Sequence, residues 1–172
     1  LMRRYLVVDA DVFFMKPLRL FDNGITLFPP ADVYHAPYFH HMLELHPYLG
    51  RMGPGSGVAH CMMFDRQRLE ELFWLVETYH QHLPFWVAFA RAIAPDTKMW
   101  AGASEYEIYY NFMVRFHPDE VAVSSKITWA NNESLEQAFE KGLHYVAVHH
   151  YGRDLTGIDQ YLKKLPMQPS TG

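Results

Sequence analysis

The sequence predicts an α/β fold, with a mixed, mainly parallel sheet flanked by helices, and three observations carry that expectation. Short β-branched and aromatic runs alternate along the chain with longer amphipathic stretches. The run Arg4-Tyr5-Leu6-Val7-Val8 ends fully apolar, the pattern of a strand buried on both faces of a parallel sheet. Residues 65–83 place Leu69, Leu72, Phe73 and Val76 along one face of a helix, with Asp65 as its cap. In open sheets of this class, ligands sit beyond the carboxyl ends of the strands. The residues directly after each strand are therefore the first candidates for function.

In chain order, a strand at 4–8 leads into Asp9-Ala10-Asp11, and the apolar stretch after it turns over at Lys16-Pro17 and stops at Asp22-Asn23-Gly24. Ile25-Thr26-Leu27-Phe28 reads as a short strand closed by two prolines, and Tyr38–Leu45 as one short helix. Gly53–Gly57 is a loop and Val58–Phe64 a strand, followed by the helix at 65–83. Helices are expected at 85–94, ended by Pro95, and at 104–116. Val121–Ser125 and His144–Tyr151 read as strands on either side of a helix at 133–141, for which Gly142 is the C-terminal glycine. The domain is expected to cover 1–165, leaving 166–172 as a frayed tail.

Composition narrows the function classes. With 12 Phe, 11 Tyr and 4 Trp the chain has ample material for a core, and its net charge of −4 argues against a sequence-independent nucleic-acid binder. The single Cys61 excludes an intrachain disulfide framework and fits a reducing, cytoplasmic compartment. No apolar run approaches the roughly 18 residues of a membrane span, so a soluble protein with no transmembrane segment is expected. Histidine is the compositional oddity: there are 11, paired at His40-His41 and His149-His150.

Two carboxylates at i and i+2 beyond a strand point the same way and make a partial site for Mg²⁺ or Mn²⁺. The alternative for Asp9 and Asp11 is a turn in which each side chain bonds nearby backbone N–H groups. His149 and His150 come at the end of another predicted strand, so one pocket is able to collect both pairs.

The stretch YLVVDADVFFMKPL resembles the strand and Asp-x-Asp motif of GT-A type glycosyltransferases: a bulky strand, Asp-x-Asp, a hydrophobic pair and a basic-Pro step. The blocks SGVAHCMMFDRQRLEEL, AGASEYEIYYNF and VHHYGRD resemble, in the same order, blocks of a glycosyltransferase family from bacteria and large chlorella viruses, close in plan to glycogenin-like transferases. The matching blocks span residues 4 to 154.

The resemblance implies a GT-A (Rossmann-like) fold and a metal-dependent hexosyl- or deoxyhexosyltransferase. Such an enzyme moves a sugar from a nucleoside-diphosphate sugar, UDP-linked by the same likeness, to a glycan or other hydroxyl acceptor. It further implies that Asp9, Asp11 and His150 hold Mn²⁺ or Mg²⁺, which bridges the diphosphate. An imidazole with two carboxylates suits Mn²⁺ better. His149 would point the other way on a strand, so only one of the two histidines is expected as a ligand. His149, Ala10, Gly152 and Arg153 are expected around the substrate. Ser56 and Gly57 match a strand entry in which the family carries Asn at the position of Gly55; Gly57 would let the backbone approach the sugar. His60, alternating with Val58 and Met62, is expected to contact substrate. Glu105 and Glu107 fall where the resemblance places acceptor-binding or catalytic carboxylates. Ser104 and Glu107 also fit a capping box, which gives Glu107 a structural duty and ranks Glu105 first as base.

The resemblance also implies strands and helices ahead of the Asp-x-Asp that grip the nucleotide base. Only eight residues precede Asp9, so that N-terminal nucleotide-binding part is expected to be absent. Two rivals remain. The strand ending in Asp-x-Asp equally resembles haloacid-dehalogenase phosphatases with Asp9 as nucleophile, although the chain has no later Asp-Asp and no Gly-Asp-x-x-x-Asp. The other rival is a non-catalytic module that binds metal or nucleotide-sugar.

Overall fold

The computed structural model describes residues 2–97 and 101–149. Its elements are β1 (Arg4–Val8), β2 (Val12–Phe14), β3 (Phe21–Asp22), β4 (Ile25–Phe28), α1 (Ala36–Leu45), β5 (Cys61–Asp65), α2 (Arg66–Tyr79), α3 (Phe85–Ala92), α4 (Glu105–Phe116), β6 (Val121–Val123), β7 (Trp129–Asn131), α5 (Leu135–Glu140) and β8 (Tyr145–Ala147). The chain forms two compact units, Leu1–Val8 with Arg19–Lys126 and Asp9–Leu18 with Ile127–Gly172. The tail expected at 166–172 lies outside the described residues. Among the described residues no helix is long and apolar enough to cross a membrane.

The fold is mixed α/β, as the alternation of runs predicts, but its sheets are small and not mainly parallel. Among the described residues β1–β5, β2–β8 and β3–β4 pair antiparallel, while β4–β6 and β7–β8 pair parallel. Local chemistry explains one reversal. Asn23 and Gly24 take φ of 47° and 89°, the two positive values of a primed two-residue turn, so Asp22-Asn23-Gly24 closes a β3–β4 hairpin and not merely a stretch of chain. The β1 expectation is corrected as well. Tyr5 and Leu6 are 38% and 42% exposed, so this apolar run is not buried on both faces. Its partner β5 starts at Cys61, three residues later than expected, because His60 takes a left-handed φ of 61° that a strand cannot contain.

The first unit is organised around α4. Every residue from Tyr106 to Met113 is buried, which is why this helix shows no polar face in the sequence. Phe28 from β4, Met42 and Leu45 from α1, Met62 from β5, and Leu72 and Val76 from α2 join it in one cluster. Asp65 ends β5 and caps α2 by accepting from the Gln67 N–H at 3.0 Å, the role its position predicts. It also pairs with the guanidinium groups of Arg3 and Arg4, and its own N–H donates to the Tyr109 hydroxyl. Burial pushes the Tyr109 phenol up to about 12. Arg68 on α2 reaches Glu120 just before β6, and His117 meets Glu71, so an ion-pair network fastens α2 to the end of α4.

The second unit has its own core of Leu135, Ala138, Val146 and Val148. Strand β8 is central, fully buried, and flanked by β2 and β7. With α5 it makes a β7–α5–β8 crossover unit. Ser134 and Gln137 form a reciprocal capping box at the start of α5. At its end Gly142 takes φ 63°, its N–H donating to the Phe139 carbonyl and the Leu143 N–H to that of Ala138, a Schellman closure. Trp129 stacks on Tyr145 at 5.7 Å, and Phe14 packs against Tyr145 from the other side, so Trp129 belongs to an aromatic row across the sheet.

This packing sets two expectations for experiment. A Cβ on Gly57 would lie 2.2 Å from the Tyr106 carbonyl oxygen and 2.6 Å from Tyr110 Cβ, whereas on Gly50 it would meet only Leu43 Cδ2 at 3.6 Å. Gly57→Ala is expected to lower stability by about 1–3 kcal/mol and Gly50→Ala by less than about 0.5 kcal/mol in urea denaturation. The second concerns His41, which links α1 to α3 by a 2.9 Å bond from Nε2 to the Phe89 carbonyl. Burial lowers its imidazole below the ordinary value, and burial is also the first cause of the lowering at His46 and His144. The unfolded chain therefore takes up these protons first. The stability they contribute is complete above roughly pH 6.5 and is lost as pH falls through that value toward the lowered ones. Unfolding midpoints should drop on acidification, with a shallower pH slope in His41→Leu than in the parent chain.

Candidate functional site

Candidate side chains fall in both units. The second unit begins at Asp9, directly after β1 in the chain, and Asp9-Ala10-Asp11 forms a turn closed by the Val12 N–H donating to the Asp9 carbonyl at 3.2 Å. The two carboxylates are thus set by a turn and not by strand alternation, because β2 begins only at Val12. Ala10 is exposed in that turn. The Asp11 carbonyl accepts from the Val148 N–H at 2.9 Å, which ties the turn to the end of β8.

That tie brings His149 to Asp11. His149 Nδ1 lies 3.1 Å from Asp11 Oδ2, with the two side chains 20% and 22% exposed. A third residue, Asn132, completes the arrangement: its Oδ1 accepts from the His149 N–H at 3.0 Å. Asn132 holds a left-handed φ of 56°, which Asn tolerates and which sets it directly after β7. The sequence signal for it was the Asn131-Asn132 pair after a short apolar run. His150, Gly152 and Arg153 lie outside the described residues.

The donor set suits a hard or borderline divalent ion in kind: carboxylate oxygen and imidazole nitrogen. Its spacing suits one too, since two ligands at right angles and ~2.1 Å from one ion sit roughly 3 Å apart. Among the described residues no cluster of three or more His, Cys, Asp or Glu forms. The same pair, without an ion, is a carboxylate that orients an imidazole.

In the first unit, Glu105 and Glu107 differ sharply. Ser104 caps α4 by accepting from the Glu107 N–H, so the helix start is as predicted. The Glu107 carboxylate, however, accepts from the Ser56 hydroxyl at 2.7 Å and the Gly57 N–H at 2.8 Å, with Asn111 Nδ2 at 3.3 Å. Glu107 is fully buried. Its duty is thus to hold the 56–57 loop, not to close a capping box. Gly57 uses its missing Cβ to approach α4, where the sequence assigned that freedom to a sugar. Glu105 is exposed on the first turn of the helix. Burial, and after it the charges of Glu105 and Glu107, raise the Tyr38 phenol above its ordinary value. Nothing in the sequence pattern singled out Tyr38. His60 is buried in the backbone bend before β5, not on a strand alternating with Met62.

Asn111 fixes what a substitution at Glu107 must do. Its Oδ1 accepts from the Met52 N–H at 2.7 Å, so its Nδ2 has to face Glu107. A Gln at 107 would present its amide N–H₂ either to that nitrogen or to the donors of Ser56 and Gly57. Glu107→Gln is expected to lower stability by about 1–3 kcal/mol, and the exposed Glu105→Gln by less than about 0.5 kcal/mol, in chemical denaturation. Equal losses would contradict the assignment of Glu107 to the loop.

Compared with known proteins, the chain matches no protein-family model and no curated sequence.

Proposed function

We propose that this chain is a metal-dependent glycosyltransferase that uses a nucleoside-diphosphate sugar, UDP-linked, and a hydroxyl acceptor such as a glycan. The observation that carries the reading is the Asp11–His149 pair: a carboxylate of the Asp-x-Asp turn and an imidazole just after β8, 3.1 Å apart and partly exposed. It joins two of the sequence blocks whose resemblance to GT-A transferases led to the expectation.

Asp11 and His149 would hold the divalent ion, Mn²⁺ or Mg²⁺, together with Asp9 from the same turn. His150 remains the ligand that the resemblance itself implies. When bound, such an ion supplies Lewis-acid stabilisation to a departing diphosphate. The chain's own contribution is to fix the donors. The Val148 N–H holds the Asp11 main chain, and Asn132 holds the His149 main chain, so the two side chains are set before any ligand arrives. In the other unit, Glu105 is the carboxylate we assign to bind or deprotonate the acceptor hydroxyl, because it is exposed while Glu107 is consumed by the loop.

Titration calorimetry with UDP, with and without Mn²⁺, tests this. UDP binding is expected to require Mn²⁺, to be abolished in Asp11→Ala, and to weaken at least about tenfold, 1.4 kcal/mol, in His149→Ala. Binding that ignores Mn²⁺ or survives Asp11→Ala unchanged overturns the assignment.

A further inference from the structure

Strand β1 leaves one edge open, and its register with β5 fixes which groups face that edge. The Arg66 N–H donates to the Arg3 carbonyl, and alternate residues share a side of an antiparallel ladder, so Arg3, Tyr5 and Val7 turn their main-chain groups toward β5. A bond on β5 agrees: the N–H of Asp65, the residue opposite Arg4, turns away from β1 to the Tyr109 hydroxyl. The N–H and C=O groups of Arg4, Leu6 and Val8 therefore face the other way. Among the described residues no strand lies there and these groups have no hydrogen-bond partner.

Folded chains normally blunt such an edge with proline, charge, a bulge or a covering segment. From Tyr5 to Val8 the strand is apolar, without proline, and pairs with β5 in unbroken register. Tyr5 and Leu6 point to opposite faces and are 38% and 42% exposed, so an added strand would find apolar surface on both.

We infer that this edge is an interface with a second copy of the chain, the two β1 strands pairing antiparallel about a two-fold axis at Leu6. In that register outward-facing residues meet outward-facing residues: Leu6 meets Leu6, and Arg4 meets Val8. Tyr5 packs on Val7, an aromatic against a β-branched side chain. One step beyond the strand, Arg3 of each copy falls opposite Asp9 of the other. Arg3 has donors for a second carboxylate, because its side chain is 59% exposed and it shares Asp65 with Arg4. Sliding the strands until Arg4 meets Arg4 would set like charges face to face. Charge thus selects the register, while main-chain bonds and apolar contact supply the affinity. Each copy spends its one open β1 edge, so association stops at two. The inference does not rest on the transferase reading.

The test is sedimentation velocity of the full chain from roughly 1 to 100 μM, the range suited to a small interface, with amide hydrogen exchange read by NMR at both ends. A reversible monomer–dimer equilibrium is expected. The amides of Arg4, Leu6 and Val8 should become protected as dimer forms, while those of Tyr5 and Val7 are protected throughout. Leu6→Lys should weaken the dimer at least about tenfold, 1.4 kcal/mol, with the circular dichroism spectrum of the folded chain unchanged. Leu6→Pro removes only an outward donor and should act in the same way; if it does not fold, Leu6→Lys decides. A chain that stays monomeric, a dimer indifferent to Leu6→Lys, a dimer with freely exchanging amides at 4, 6 and 8, or an open-ended series of assemblies overturns the proposal. Protection of those amides in the monomer overturns it too, since the edge would then be covered from within the chain.

Discussion

A buried carboxylate organises the larger unit. Glu107 lies on the helix that every neighbouring element packs against, and a charge there is tolerable only because donors surround it. The Ser56 hydroxyl, the Gly57 N–H and the Asn111 amide supply them, and the first turn of α4 adds the favourable end of its dipole. The residues that supply them are committed elsewhere as well. Ser56 Oγ accepts from the Val58 N–H, the Ser56 N–H reaches the Ala31 carbonyl, and Asn111 takes the Met52 N–H. The loop between α1 and β5, rich in glycine and proline, is thereby held in one conformation. Gly55 and Gly57 are the positions where side chains would keep it away from Tyr110 and Tyr106.

The two candidate clusters differ in physical character. Glu107 works in the dry interior, where a lost donor is expensive. Asp11 and His149 sit partly in water, where a contact between two side chains contributes little and is readily exchanged for a ligand. Burial of a carboxylate, often taken as a mark of catalysis, here marks the scaffold. The exposed Glu105, two residues away on the same helix, is the chemically available one.

How much of this the sequence showed depends on range. Features written within a few residues were legible: Asp65 before α2, Ser104 before α4, Gly142 after α5, and the Asn23-Gly24 turn as a stop. Features that need a distant partner were not. Nothing near Val58-Ala59-His60 announces that His60 turns left-handed, and nothing near Tyr5 tells that its strand runs antiparallel to β5 with Leu6 facing water. Glu107 read as a capping-box residue because Ser104 stands three places before it, while two of its three donors lie 50 and 51 positions away. Strand β7 escaped notice because three residues with one large side chain carry too little periodicity to register.

The Asp11–His149 pair joins residues separated by 138 positions. Closing so long a loop costs entropy that grows only with the logarithm of its length, but the contact must await nearly the whole chain. Strand β8 is the middle of its sheet, so among the described strands neither β2 nor β7 has a partner until β8 has been made. The Asp-Ala-Asp tripeptide is therefore present in any fragment that includes the first strand, while the paired donors arise only when the last described strand docks. A peptide can carry the motif; only the completed fold carries the site.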